Sequence, residues 1–189
     1  MPIIGSLAGA SSIGFGRFRA FSSLTAFESI ATVSVSTATP SVEFTSIPST
    51  YTHLQVRAHM VCSNINNMFM QLGNGTIDTG ANYSWKQMWG EGATANANDG
   101  QSQTFFYTGY VANASYPSAL IVDIADYANT NKHKTAKSFC ANNNNTAGYV
   151  ISFSGRWGSS SAVDRIKLTT GSGTFNQYSH FALYGIKNG

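Results

Sequence analysis

The sequence predicts an all-β protein, an antiparallel β-sandwich of the jelly-roll type. Apolar and polar residues alternate over many short runs, and Gly, Asn and Pro separate those runs at near-regular spacing. No segment carries the apolar stripe of an amphipathic helix. An immunoglobulin-like sandwich is the alternative arrangement, and the lack of a fixed-period repeat argues against a propeller or a β-helix.

The clearest predicted strand follows a turn at Pro48. Its apolar residues lie at alternate positions, namely Leu54, Val56, Ala58 and Met60. The positions between them carry His53, Gln55, Arg57 and His59. Because successive side chains of a strand point to opposite faces, this pattern predicts one buried face and one wet face.

Similar reasoning predicts strands at 28–35, 42–47, 51–62, 67–72, 83–89, 103–110, 120–127, 135–141, 149–157, 164–170 and 180–186. Residues 119–126 are apolar on both faces apart from two aspartates, which indicates a central strand. Residues 90–100 are small and polar and predict a long loop. Such a loop is either plain solvent-exposed chain or a contact for a ligand or a subunit.

The chain of 189 residues predicts one β-sandwich domain over 27–189, preceded by a distinct segment over 1–26. That segment is rich in glycine, has no acidic residue, and contains Ile3, Ile4, Leu7, Ile13, Phe15, Arg17, Phe18, Arg19 and Phe21. A secretion signal carries its positive charge before the apolar run, whereas these arginines come after it. A disordered tail would leave many apolar side chains in water. We therefore expect an anchoring arm that docks on another subunit.

The amino-acid composition limits the kinds of function and partner that this protein can have. Charged residues are 10% of the chain, against about 25% in an ordinary soluble domain, which suits a protein held in an assembly or outside the cell. The net charge of +3 is small and scattered, so we expect no nucleic-acid partner. No apolar stretch reaches the ~20 residues of a membrane helix, and we expect no membrane partner. Cys62 and Cys140 lie in apolar runs, which favours buried free thiols over a disulfide.

The sequence offers little catalytic machinery. The histidines and cysteines lack the spacing of metal ligands, and no nucleophile elbow, phosphate loop or dinucleotide fingerprint is present. Asp123 and Asp126 lie three residues apart on a strand and face opposite sides. We therefore expect no enzyme activity, no metal and no cofactor. A hydrolase is the least favoured of three function classes, the other two of which follow below. It would need two carboxylates or a His/Asp pair to converge in one pocket.

One aromatic strand raises a binding hypothesis. Tyr83, Trp85 and Trp89 occupy alternate positions and can share a face. Such a face is either packed core or an exposed platform on which a sugar ring stacks. The second function class is therefore a carbohydrate-binding module that recognises a host surface glycan.

Three stretches carry a family resemblance, FTSIPSTYTHLQVR at 44–57, IVDIADYANTNKHK at 121–134 and FALYGIK at 181–187. Together they resemble a family of small virion structural proteins of tailed bacteriophages, common among marine and cyanobacterial phages. The resemblance implies a β-sandwich displayed at the particle surface, on the capsid, tail or fibre, with other virion proteins as partners. Its motifs mark scaffold, and no catalytic residues carry over.

The resemblance changes how the wet face of the strand after Pro48 is interpreted. We expect His53, Gln55, Arg57 and His59 to form a subunit-contact face rather than an active site. The charge-poor surface and the N-terminal arm further predict a homo-oligomer, with a trimer as the candidate state.

Overall fold

Antiparallel β-strands make up all the regular structure in the described part of the chain. The computed structural model describes residues 26–112, 116–143 and 148–187, and no helix occurs among them. The predicted all-β sandwich is confirmed. The predicted anchoring arm lies outside the described residues, apart from Ala26.

Thirteen strands follow one another along the described chain. They are β1 (Phe27–Ser34), β2 (Ser41–Phe44), β3 (His53–Met60), β4 (Asn66–Asn74), β5 (Thr76–Ile77), β6 (Tyr83–Glu91), β7 (Thr94–Gln103), β8 (Phe106–Val111), β9 (Ser118–Ala125), β10 (Lys134–Asn143), β11 (Gly148–Trp157), β12 (Arg165–Thr170) and β13 (His180–Ile186). The larger sheet has eight strands in the order β1-β13-β3-β9-β10-β11-β6-β7, and the smaller has five, β2-β12-β4-β5 with β8 beside β4. The chain crosses repeatedly between the two sheets, as in a jelly roll.

The core lies between the facing surfaces of the two sheets. Inward side chains of β3 and β9, such as Val56 and Val122, meet those of β12 and β4, such as Leu168 and Met70, and all four are fully buried. Their neighbours along each strand point away from the core, so each strand alternates as its sequence predicts. Among the described residues, nothing covers the outer face of the eight-stranded sheet, which is called the open face below.

Each of the eleven predicted strands overlaps an observed one, and two strands were missed. The predicted loop at 90–100 is wrong, because β6 and β7 form a hairpin there, with Glu91 paired to Thr94. Gly92 has a φ of 56°, as the first residue of a two-residue hairpin turn requires. The second missed strand is β5, which pairs with the end of β4.

Strand β8 packs directly on β10 of the opposite sheet. The Ser138 hydroxyl donates to the Thr108 carbonyl at 2.6 Å, and the Asn142 amide donates to the Tyr110 carbonyl at 3.1 Å. A Cβ added at Gly109 would lie 2.6 Å from the Cβ and Sγ of Cys140. Side chains of β10 thus satisfy backbone groups of β8, and glycine permits the close approach of the two strands.

Both cysteines are free and buried, which confirms the prediction of free thiols. Burial raises the pKa of Cys62 to about 12 and that of Cys140 to about 11. Neither thiol ionises in the folded protein near neutral pH, so both act as small apolar side chains.

We expect Gly109→Ala to lower the free energy of unfolding by about 1–3 kcal/mol, because its methyl group overpacks the contact between β8 and β10. Gly90→Ala is the matched control, since it also lies in a strand and a Cβ there has no atom within 4 Å. Urea unfolding of both variants measures the difference. Equal stabilities would show that the close contact of β8 with β10 does not constrain the sandwich.

Raising the pH from about 8 to about 10 should destabilise the wild type more than a C62A/C140A variant. Each thiol has a higher pKa in the folded protein than in the unfolded chain, where it is about 8.5. Its contribution to the free energy of unfolding is therefore complete below about pH 8.5 and is lost as the pH rises toward the folded-state pKa. The expected extra loss is about 1–2 kcal/mol per thiol at that alkaline pH, from urea unfolding. The cavity left by each substitution is present at both pH values and cancels. Parallel losses in the two proteins would contradict this account.

Candidate functional site

The predicted wet face of β3 is present on the open side of the eight-stranded sheet. Arg57 and His59 are exposed, and His53 and Gln55 are half-buried. The four side chains therefore share one face, as their alternation indicates. Whether this face contacts another subunit stays a prediction.

A polar network crosses the open face from β3 to β10. The Arg57 Nε donates to the Gln55 Oε1 at 2.6 Å, and the Gln55 Nε2 donates to the Asp123 Oδ1 at 2.7 Å. The Lys137 Nζ lies 3.6 Å from the Asp123 Oδ2. These groups are largely solvated, so the network orients the side chains more than it stabilises the fold.

The two histidines of the predicted contact face have separate surroundings. The His53 Nδ1 accepts a hydrogen bond from the Asp126 backbone N–H at 3.0 Å. The Asp126 carboxylate bonds to Lys132, and this bond holds its pKa below the usual range despite partial burial. His59 pairs across the sheet with His180 of β13. No group of three His, Cys, Asp or Glu side chains suited to hold a metal ion occurs within the described residues.

An apolar band lies beside the polar network on the same open face. It consists of four large side chains, Met88, Ile121, Phe139 and Val150. Their exposed fractions are 63%, 42%, 53% and 52%, although aliphatic and aromatic side chains of this size are usually buried. Large apolar side chains that are exposed together on one face of a sheet mark a candidate contact site.

Strand register brings the band together. Ile121 of β9 pairs with Phe139 of β10, Phe139 pairs with Ser152 of β11, and Ser152 pairs with Met88 of β6. Val150 is two residues before Ser152 on the same face of β11. On the other side, Ile121 pairs with Arg57, so the band adjoins the polar network.

Of the two alternatives for the aromatic strand, packed core and exposed platform, the structure shows packed core for two of the three rings. Tyr83 and Trp85 share a face as expected, but it is the core face, and their exposed fractions are 1% and 7%. The Tyr83 hydroxyl donates to the Asp78 carbonyl at 2.9 Å, and the Trp85 ring packs against Gly100. Trp89, the third ring, is half-buried and packs against the core. These rings cannot stack together on a sugar at the surface.

Lys134, which lies in a short basic stretch with Lys132, has a structural role. Lys134 is fully buried, and its Nζ donates to the carbonyls of Asn129 at 2.5 Å, Lys132 at 2.8 Å and Ser160 at 3.1 Å. Burial lowers its pKa, and the positive charge of Lys132 lowers it further. The ammonium group therefore ties two loops together and does not present charge to a partner.

The carboxylates also serve the fold. The Asp78 Oδ2 accepts from the Trp157 Nε1 at 2.7 Å, and its Oδ1 accepts from the Gly80 N–H at 2.8 Å. Burial opposes ionisation of Asp78, but these bonds and one from Asn82 outweigh it and keep its pKa below the usual range. On another loop, the Asp164 carboxylate accepts hydrogen bonds from the Gly75 N–H and from the Arg165 Nε.

Sequence reasoning missed the apolar band. Residues 119–126 were correctly predicted to form a central strand, because β9 lies between β3 and β10. The apolar character of both faces suggested that both are covered, whereas Ile121 is exposed. A usable signal was the polar residue beside each band member, since neighbours such as Lys137 and Asp123 mark that face as solvent-facing.

Comparisons with known proteins give no family. No family model matches the chain, and no curated protein matches it. Among solved structures, it is similar to a protein of unknown function from Shewanella oneidensis MR-1, with 10% identity, 86% of this chain and 76% of that chain covered, and a TM-score of 0.24. A likeness at this level carries no argument. Among the described residues there is no helix with the length and apolarity to cross a bilayer.

Proposed function

We propose that this protein is a structural component of a tailed-bacteriophage virion that acts through surface contacts and not through catalysis. The observation that carries the proposal is the apolar band of Met88, Ile121, Phe139 and Val150 on the open face of the eight-stranded sheet. A neighbouring subunit that covers this band would remove it from water. The adjoining polar network would then fix the orientation of that neighbour.

The three stretches that resemble virion proteins form one structural unit. They contain parts of β3, β9 and β13, and in the sheet β3 lies between the other two. The loop before β3 is fixed to the end of β9, since the Tyr127 hydroxyl donates to the Pro48 carbonyl and accepts from the Tyr51 N–H. The three motifs therefore serve strand packing and the conformation of a turn, as expected for a structural protein.

A non-catalytic role is supported by how the polar groups are used. Asp78, Asp126 and Asp164 each hold a loop through hydrogen bonds or ion pairs. Hydrolysis on a β-sandwich needs two carboxyl groups in one cleft, and Asp78, Asp126 and Asp164 are committed to separate structural contacts.

Glycan recognition at Tyr83, Trp85 and Trp89 receives no support, because two of those rings lie in the core. The virion proposal therefore places contact with other virion proteins, and assembly into a homo-oligomer, on the open face. His53, Gln55, Arg57 and His59 belong to that face.

We expect Phe139→Asp to reduce incorporation of the protein into phage particles by about tenfold or more, because loss of about 1.4 kcal/mol at each contact already changes occupancy tenfold. Thr135→Asp is the matched control, since Thr135 lies on the same face of β10 outside the band. Quantitative mass spectrometry of purified particles measures the copy number, and thermal unfolding confirms that both variants fold. Absence of the wild-type protein from particles would refute the virion role. Normal incorporation of Phe139→Asp would exclude the band as the contact.

Deletion of residues 1–24 tests the arm separately. If residues 1–26 form an arm separate from the β-sandwich, the shortened protein will keep the unfolding midpoint of the full chain and will be lost from particles. Sedimentation velocity of both proteins reports whether the arm also contributes to a homo-oligomer. Normal particle assembly without these residues would show that the arm does not anchor the protein.

A further inference from the structure

An aromatic cleft opens between the two sheets, separate from the open face. It has a volume of about 230 Å³ and is bounded by four rings, Trp89, Tyr107, Tyr110 and Tyr149, and by the polar side chains of Gln87 and Glu91. The rings come from β6, β8 and β11, near the ends of the strands. Pockets for drug-sized ligands begin at about 300 Å³, so this one suits a group of only a few heavy atoms.

Gln87 is the polar group deepest in the cleft. Its side chain is 9% exposed, and its Oε1 has no hydrogen-bond partner. A buried acceptor without a donor is destabilising, and a bound group with an N–H or O–H would satisfy it. The position is therefore suited to a ligand that carries an N–H or O–H donor.

The cleft is electron-rich and contains no basic side chain among the residues that line it. The Glu91 carboxylate accepts from the Tyr149 hydroxyl at 2.8 Å, and the rings of Tyr110 and Tyr149 lie 4.6 Å apart. This hydrogen bond and burial raise the pKa of Tyr149 to about 12, so its ring stays neutral. One carboxylate and four π faces together favour a positive charge.

Most phenol donors at the cleft are already used. The Tyr149 hydroxyl donates to Glu91, and the Tyr107 hydroxyl donates to the Asn67 Oδ1 at 2.5 Å. A sugar hydroxyl needs donors as well as acceptors around it. An ammonium group needs acceptors alone, and the cleft supplies them at Gln87 and Glu91.

We propose that the aromatic cleft binds a small protonated amine, an alkylammonium group with at least one N–H. The N–H donates to the Gln87 Oε1, the charge faces Glu91, and the alkyl part lies against Trp89 and the tyrosine rings. A quaternary ammonium would leave the Gln87 Oε1 unpaired, so the cleft discriminates against it. A free amine and the end of a lysine side chain share this chemistry.

The test is a titration of the full chain with butylammonium, followed by NMR chemical shifts and by tryptophan fluorescence. We expect a Kd on the order of 1 mM and shifts confined to the cleft, as for a ligand of so few atoms. Tetramethylammonium, 1-butanol and methyl glucoside are the comparison probes, and each should bind at least about tenfold more weakly. An Nα-acetyl-lysine amide that binds as well as butylammonium would identify a lysine side chain as an acceptable source, and weaker binding would favour a free amine.

Two variants locate the site. Glu91→Gln removes the charge and Gln87→Met removes the acceptor, and we expect each to weaken butylammonium binding about fivefold or more. Glu43→Gln is the matched control, because Glu43 lies on β2 away from the cleft. Unchanged binding in both cleft variants, equal binding of 1-butanol, or tighter binding of methyl glucoside would overturn the proposal. These outcomes are independent of particle incorporation.

Discussion

The contact of β8 with β10 is the constraint on which the rest of the sandwich depends. Strand β8 pairs with β4 alone among the described strands, and side chains of β10 reach across the core to its carbonyls. This is possible only because β10 presents small or short polar residues there and β8 presents Gly109. Tyr107 and Tyr110, which line the aromatic cleft, lie on either side of Gly109 in β8.

The open face of the eight-stranded sheet follows from the two-layer architecture. Two sheets make one core, so nothing within the described chain covers the outer surface. Burial of the four band residues, each about half exposed, would contribute on the order of 1 kcal/mol per residue. Association costs roughly 4–15 kcal/mol, so the band suits a contact that is repeated over many copies or reinforced by a second attachment such as an arm.

Alternation in the sequence predicted most of the fold. It located β3 and its two faces correctly, because Leu54 and Val56 have polar neighbours throughout. It could not decide between core and surface for Tyr83 and Trp85, since aromatic residues serve in both, although Lys86 on the other face marked the solvent side. The aromatic cleft could not be predicted, because Tyr110 and Tyr149 are brought together only by the packing of β8 on β11.

Strand β7 could not be predicted from the sequence, and the same residues that concealed it also affect how this edge of the sheet meets other chains. Its residues are mostly exposed, and apart from Thr94 they are residues with poor strand propensity. It is the last strand of its sheet, where unpaired backbone groups can recruit a foreign chain. A margin of Ala, Asn, Asp and Gln gives an incoming strand little side-chain area to pair with. Strand β7 therefore offers a second chain little to pair with along this edge of the sheet.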